Sequence, residues 1–190
     1  ADLVHLLDGM FAFAIWDERE QRLVLGRDRA GEKPLFYTRT GHAFLFASEL
    51  RALLEHPRAP RELDAVGFRR YMTHDFFPAP HSPLAGVFKL PAGHVAVVTE
   101  RDTEVRCYWD LAQHFAPRET TKKDDAGVAR ALDERMATAV ERRRKSDVPV
   151  GVFLSGGIDS SLVLAHMAEQ MGPGVPAFSR CSMSSMKSCP

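Results

Sequence analysis

The sequence predicts an α+β segment followed by an α/β segment, and three observations carry the prediction. The first third alternates short apolar runs with turn residues at the spacing of antiparallel strands. A polar stretch containing Pro117 then interrupts the pattern. Beyond it a helix, a strand, a glycine-rich turn and a second helix begin a parallel βαβ arrangement.

The elements follow from the residues in order. Met10–Trp16 is apolar at both parities, which predicts a strand with both faces covered. Leu23–Leu25, Leu35–Tyr37 and Ala43–Phe46 read as further strands, punctuated by Gly31, Pro34 and Gly41. Ser48–His56 reads as a short helix, with Ser48 as its cap and Glu49 in its first turn. Leu63-Asp64 opens another, with Asp64 as N-cap and Leu63 stapled to Phe68; Pro78, Pro80 and Pro83 end it. Val87–Leu90 and His94–Val98 flank the turn Pro91-Ala92-Gly93, and Val105–Trp109 supplies a last strand. His114–Asp125 has no apolar period and reads as a linker. Val128, Leu132, Met136, Ala139 and Val140 then mark one face of a helix. Strand 148–154, helix 158–170 and strand 175–178 complete the βαβ start.

The most chemically specific stretch is Val148–Ser161, VPVGVFLSGGIDSS. A buried strand that delivers a glycine-rich turn into a helix N-terminus makes a phosphate site. Gly156 and Gly157 let the backbone approach an anion, and the orphan N–H groups of the first helical turn point at it. Ser155, Ser160 and Ser161 add hydroxyl donors around the same concavity. No Lys follows the glycines, so this is not the G-x-x-x-x-G-K-[ST] loop, and the dinucleotide fingerprint G-x-G-x-x-G is absent too.

Composition narrows the remaining classes. Lys+Arg number 25 and Asp+Glu 25, so no global charge draws the chain to nucleic acid. No apolar run reaches the roughly 18 residues of a membrane span. Ala1-Asp2 runs straight into Leu3–Leu7 without the pattern of a signal peptide. Three cysteines fit neither a zinc site nor a disulfide framework, which points to a reducing cytoplasm.

The string SGGIDSS resembles the pyrophosphate-gripping loop of the ATP-pyrophosphatase (PP-loop) enzymes. The strings DGMFAFAIWD (8–17), GRDRAGEKPLFY (26–37), FASEL (46–50) and KLPAGH (89–94) resemble the second half of a class II glutaminase domain. In this order, the chain is similar to the glutamine-hydrolysing asparagine synthetase family over roughly residues 5–179. The resemblance implies part of a four-layer αββα N-terminal-nucleophile hydrolase sandwich, then the first βαβ of a parallel-sheet PP-loop domain. The implied boundaries are 1–113 for the glutaminase part, 114–125 for the linker, 126–179 for the synthetase start and 180–190 for a tail.

The chemistry implied is conversion of aspartate, ATP and glutamine to asparagine, AMP, diphosphate and glutamate through a β-aspartyl-adenylate. Implied partners are these small molecules, with a homodimer of the full-length parent, and no nucleic acid or membrane. Implied cofactors are ATP and Mg²⁺. Leu154, Ser155, Gly156, Gly157, Asp159, Ser160 and Ser161 match the ATP-binding loop, and Asp159 suits Mg²⁺, which takes oxygen ligands and bridges phosphates.

The departures from the family pattern are specific. The class II nucleophile is an N-terminal Cys, whereas this chain begins with Ala1 and first shows a cysteine at Cys107. No catalytic residue is therefore expected within it. The sequence is expected to be a fragment cut at both ends, catalytically silent by itself. Arg180–Pro190 departs from the family pattern and reads like a slipped frame or foreign tail.

Rival readings stay open. One is a β-lactam synthetase or other asparagine-synthetase-like ligase with a vestigial glutaminase half. Another is a non-catalytic fragment that binds nucleotide weakly or meets a partner through exposed sheet edges. An amidotransferase making phosphoribosylamine has no use for SGGIDSS. Arg27-Asp28-Arg29 is expected to fix a loop by charged hydrogen bonds, and Arg142–Lys145 to complement a helix C-terminus.

Overall fold

The computed structural model describes residues 3–41, 43–115 and 124–179. The chain divides into two units, residues 1–117 and 118–190.

The first unit begins with the single turn α1 (Leu3–Leu6), whose Val4 is buried. The strands β1 (Ala12–Asp17), β2 (Arg22–Arg27), β3 (Phe36–Thr40) and β4 (Ala43–Ala47) follow. Next come helices α2 (Leu50–Leu54) and α3 (Ala65–His74). The strands β5 (Phe88–Lys89), β6 (His94–Val98) and β7 (Thr103–Cys107) complete the set. They form two antiparallel sheets, one ordered β1-β2-β6-β7 and the other β4-β3-β5.

Register sets the faces, because successive side chains alternate across a strand. Leu25 pairs with Ala14 on one side and Ala96 on the other. Leu25, Leu35, Leu90 and Ala96 form a core joined by Tyr37 and Phe44, so residues of both sheets meet in it. A second core lies on the other face of β3 and β4. Leu53, Ala59, Leu84 and Val87 there pack with Phe36, Leu45 and Ala47. Each fully buried Leu in these cores stabilises the fold by about 1.5–3 kcal/mol.

The structure corrects several expectations. β1 is not covered on both faces: Ile15 is 43% and Trp16 57% exposed. It is an outer strand of its sheet. Asp64 caps α3 as expected, accepting Val66 N–H at 2.9 Å. The staple is absent: Leu63 is 68% exposed, and the Phe68 ring meets Phe77 edge-on at 5.4 Å.

In the second unit α4 (Asp125–Arg143) leads to β8 (Val152–Phe153), α5 (Ile158–Met171) and β9 (Ala177–Phe178). Helix α4 starts at Asp125, inside the expected linker; residues 116–123 of that linker lie outside the described residues. Of its apolar face only Val140 is buried, packing with Val152 and Met167, while Val128 and Leu132 are about half exposed. β8 and β9 pair in parallel. The strand expected over 148–154 shrinks to two residues because only Val152–Phe153 finds a paired partner in β9. Arg180–Pro190 lies outside the described residues.

Candidate functional site: a glycine turn between β8 and α5

The turn begins where the β8 ladder ends. Val152 N–H donates to Pro176 O at 2.9 Å and Leu154 N–H to Phe178 O at 2.7 Å, so the strand is tied down as far as Leu154. Ser155, Gly156 and Gly157 then reverse the chain into α5. Gly156 holds φ at +80°, a region that glycine enters without steric cost, and a Cβ there would meet no atom within 4 Å. Open space therefore lies above the one backbone position that most needs to be glycine.

Gly157 is the N-cap residue, in extended conformation and without a capping side-chain bond of its own. The first helical hydrogen bond runs from Ser161 N–H to Gly157 O at 3.2 Å. The N–H groups of Ile158, Asp159 and Ser160 precede that bond and project from the positive end of a 14-residue helix. Asp159 stands exposed in this first turn.

The three serines are gathered tightly. Ser155 Oγ and Ser160 Oγ are 3.0 Å apart, and Ser155 N–H donates to Ser160 Oγ at 3.3 Å. Gly157 N–H donates to Ser155 Oγ at 3.4 Å. Gly157 O accepts from Ser160 Oγ at 3.2 Å and from Ser161 Oγ at 2.8 Å. The hydroxyls thus close the turn upon itself, and each can rotate toward an incoming anion. All seven residues picked out in the sequence, Leu154 to Ser161 without Ile158, lie in this one turn and the helix start it feeds.

Behind the turn, α5 is fastened to α4. Gln170 Nε2 donates to Ala137 O at 2.8 Å. The buried His166 places Nε2 3.3 Å from Asp133 Oδ1 and Nδ1 3.7 Å from Glu169 Oε2. The periodicity of α5 alone does not reveal this neighbour, because Asp133 lies on another helix.

The first unit has its own polar centre, at Arg27 and Asp28. Asp28 is 1% exposed. Its Oδ1 accepts from the N–H groups of Ala30 and Glu32 at 3.1 and 3.0 Å, and its Oδ2 from Lys33 and Phe11 at 3.0 and 3.4 Å. Burial pushes this carboxyl upward, but the backbone donors outweigh burial and hold it below the ordinary aspartate range. Arg27 donates to the carbonyls of Lys33, Leu90 and Gly31 at 2.8, 2.5 and 2.5 Å. Burial draws the guanidinium down, and Asp28 opposes that pull. Together they fix the Arg27–Lys33 loop, the role expected from the sequence.

Ser48 and Glu49 do not fill theirs. Glu49 itself is the N-cap of α2 and makes no side-chain cap bond. Both residues instead line a cavity of about 490 Å³ with Lys33 and Met10. Capping statistics favour Ser at such a position, but β4 runs one residue further than expected, to Ala47, and displaces the helix start.

The family of glutamine amidotransferase domains matches residues 1–109, and the asparagine synthase family matches residues 131–186. The chain is 37% identical over 174 residues to asparagine synthetase [glutamine-hydrolyzing] 3 of Bacillus subtilis, covering 88% of this chain and 26% of that protein. It is 34% identical over 172 residues to putative asparagine synthetase [glutamine-hydrolyzing] 2 of Methanocaldococcus jannaschii, covering 88% of this chain and 32% of the relative. It is also 35% identical over 188 residues to amidase chry2 of Gibberella zeae, covering 95% and 27%. The chain spans 26–32% of the length of these three relatives. By these matches the chain belongs to the glutamine amidotransferase domain family and continues, after that domain, into a segment of the asparagine synthase family.

Proposed function

We propose that the chain is part of a glutamine-hydrolysing asparagine synthetase, and that the turn between β8 and α5 holds the diphosphate of ATP while a carboxylate is adenylated. The observation that carries this reading is Gly156, with its positive φ and open space above it, placed before three forward-pointing helical N–H groups.

The chemistry follows from the leaving group. A carboxylate is a poor acyl donor because oxide would have to depart. Attack of an aspartate β-carboxylate oxygen on the α-phosphorus breaks the bond to the β-phosphate and releases diphosphate. Ammonia then attacks the β-aspartyl-adenylate and AMP departs. In this reading the N–H groups of the turn, with Ser155, Ser160 and Ser161, bind the diphosphate as it separates and gains charge. Asp159 would hold Mg²⁺. Its exposed carboxylate beside a phosphate cradle fits an ion that takes one or two carboxylates and completes its shell with phosphate oxygens and water. When bound, that ion neutralises phosphate charge.

Ammonia is nucleophilic only unprotonated, and release from glutamine within the same protein supplies it in that form. A glutaminase domain ahead of the synthetase segment serves this need. We read its fold as part of a four-layer αββα sandwich, with β8, α5 and β9 as the start of a larger parallel sheet. Ile15, 43% exposed on the outer strand β1, supports a further covering layer. We also propose the domain limits 1–113, 114–125, 126–179 and 180–190, and the homodimer that the family resemblance implies. No helix among the described residues is long and apolar enough to cross a membrane; a cytoplasmic site is our reading.

A second acceptor is favoured by one observation, the match to amidase chry2 over 95% of this chain. In that reading the adenylation loop is unchanged and a different carboxylate is activated. The division of labour is tested by Asp159→Asn in the full-length parent. Diphosphate release should fall at least tenfold while glutamate release from glutamine stays within about twofold, since a lost metal ligand acts on phosphoryl chemistry alone. Equal loss of both activities contradicts the proposal.

A further inference from the structure

Along the outer strand β7, between it and strands β3 and β5 of the other sheet, runs a cavity of about 630 Å³. This volume lies within the roughly 300–1,000 Å³ range of small-molecule sites. Its wall is aromatic. The Tyr37 ring stacks on Phe44 at 5.9 Å between centroids and leans on Phe88 at 5.8 Å, and Val105 of β7 faces them across the cavity.

The charged groups lining it differ in their engagement. Arg39 donates to the carbonyls of Glu100, Thr99 and Asp102 at 2.8–2.9 Å and to Thr103 Oγ1 at 3.1 Å, and its guanidinium lies 5.6 Å over Phe44. It clamps the β6–β7 turn to β3. Asp102 Oδ1 accepts Thr103 N–H at 2.7 Å. Arg101 has no hydrogen bond or ion pair among the described residues. Two cations and one carboxylate leave the lining with one net positive charge, and the unengaged guanidinium is Arg101.

We propose that this cavity binds a small aromatic carboxylate, its ring against Tyr37, Phe44 and Phe88 and its carboxylate on Arg101. Offset or edge-on ring contacts reward a flat apolar body, and the guanidinium fork matches a carboxylate in two parallel hydrogen bonds. A carboxylate gains a charge-assisted pair with the exposed Arg101 that a neutral ligand cannot make, and a dianion would exceed the single net positive charge of the lining. This inference stands apart from the adenylation reading, since it uses only the first unit.

The test titrates the full chain with 2-naphthoate and with the uncharged 2-naphthalenemethanol, following binding calorimetrically and by chemical-shift changes. The expected result is saturable binding of 2-naphthoate, at least tenfold tighter than the alcohol, with the largest shifts at Tyr37 and Val105. Arg101→Ala should bring the carboxylate to the affinity of the alcohol. Val105→Trp, which fills the cavity, should abolish binding of both while the far-ultraviolet circular dichroism is unchanged. Absence of saturable binding, equal affinity for acid and alcohol, or shifts that map elsewhere in the wild-type chain would overturn the proposal. So would capture of an extended peptide along the outer edge of β7 with no response to 2-naphthoate.

Discussion

Replacement of Asp28 by Asn keeps the shape of the side chain and exchanges one oxygen for an NH₂ group. Four backbone N–H groups converge on this carboxylate, two on each oxygen. Whichever way the amide turns, two of those donors face another donor. A buried donor left without a partner costs about 1–3 kcal/mol, so two give about 2–6 kcal/mol before relaxation. Single substitutions beyond about 4–5 kcal/mol are exceptional, which places the expected loss near 3 kcal/mol. With a urea m-value of about 1.5 kcal/mol/M, the unfolding midpoint should fall by about 2 M at constant slope. The charge adds a pH signature. A carboxyl held below its ordinary range contributes stability that is complete above that range and is lost as pH falls through the folded-state value. The wild-type chain should therefore lose stability in acid more steeply than Asp28→Asn, and the two curves should converge at low pH. A midpoint drop below about 0.5 M, or parallel acid limbs, would refute the assignment of Asp28 as the anchor of the Arg27–Lys33 loop.

Two further substitutions probe the turns. Gly93 holds φ at +66°, and a Cβ there would collide with the Trp109 carbonyl, so Gly93→Ala should destabilise the first unit by about 1–3 kcal/mol in denaturant titration. An unchanged midpoint would show that the turn rearranges freely. Gly156→Val in the full-length parent puts a branched side chain at φ +80° into the space proposed for phosphate, and should abolish adenylation. Wild-type ATP affinity in that variant would show the anion to bind elsewhere.

Local chemistry made much of this molecule legible from its residues alone. His94–Val98, an apolar β-branched run after the Pro91-Ala92-Gly93 turn, forms a strand with the same limits, and Asp64 caps α3 because an Asx side chain before an apolar period has few other uses. The glycine turn was readable for the same reason: strand, glycines and helix start are contiguous, so their geometry is set within about ten residues. What escaped depends on partners distant in sequence. Val128 and Leu132 obey a helical period, yet burial needs a neighbour that no described element supplies. Ser48 resembles a cap, but pairing of Ala47 with Phe36 extends β4 and moves the cap to Glu49. The aromatic cavity joins Tyr37 to Val105 across two sheets, and His166 meets Asp133 on another helix; neither pairing leaves a periodic trace.

The most direct test follows phosphorus. The full-length parent, supplied with ATP, magnesium, aspartate and ammonia, is monitored by ³¹P nuclear magnetic resonance. Cleavage between the α- and β-phosphates should yield AMP and diphosphate in equal amounts, each matched by one asparagine. Formation of ADP and orthophosphate would contradict the account, since the turn at Gly156 would then not be gripping a departing diphosphate.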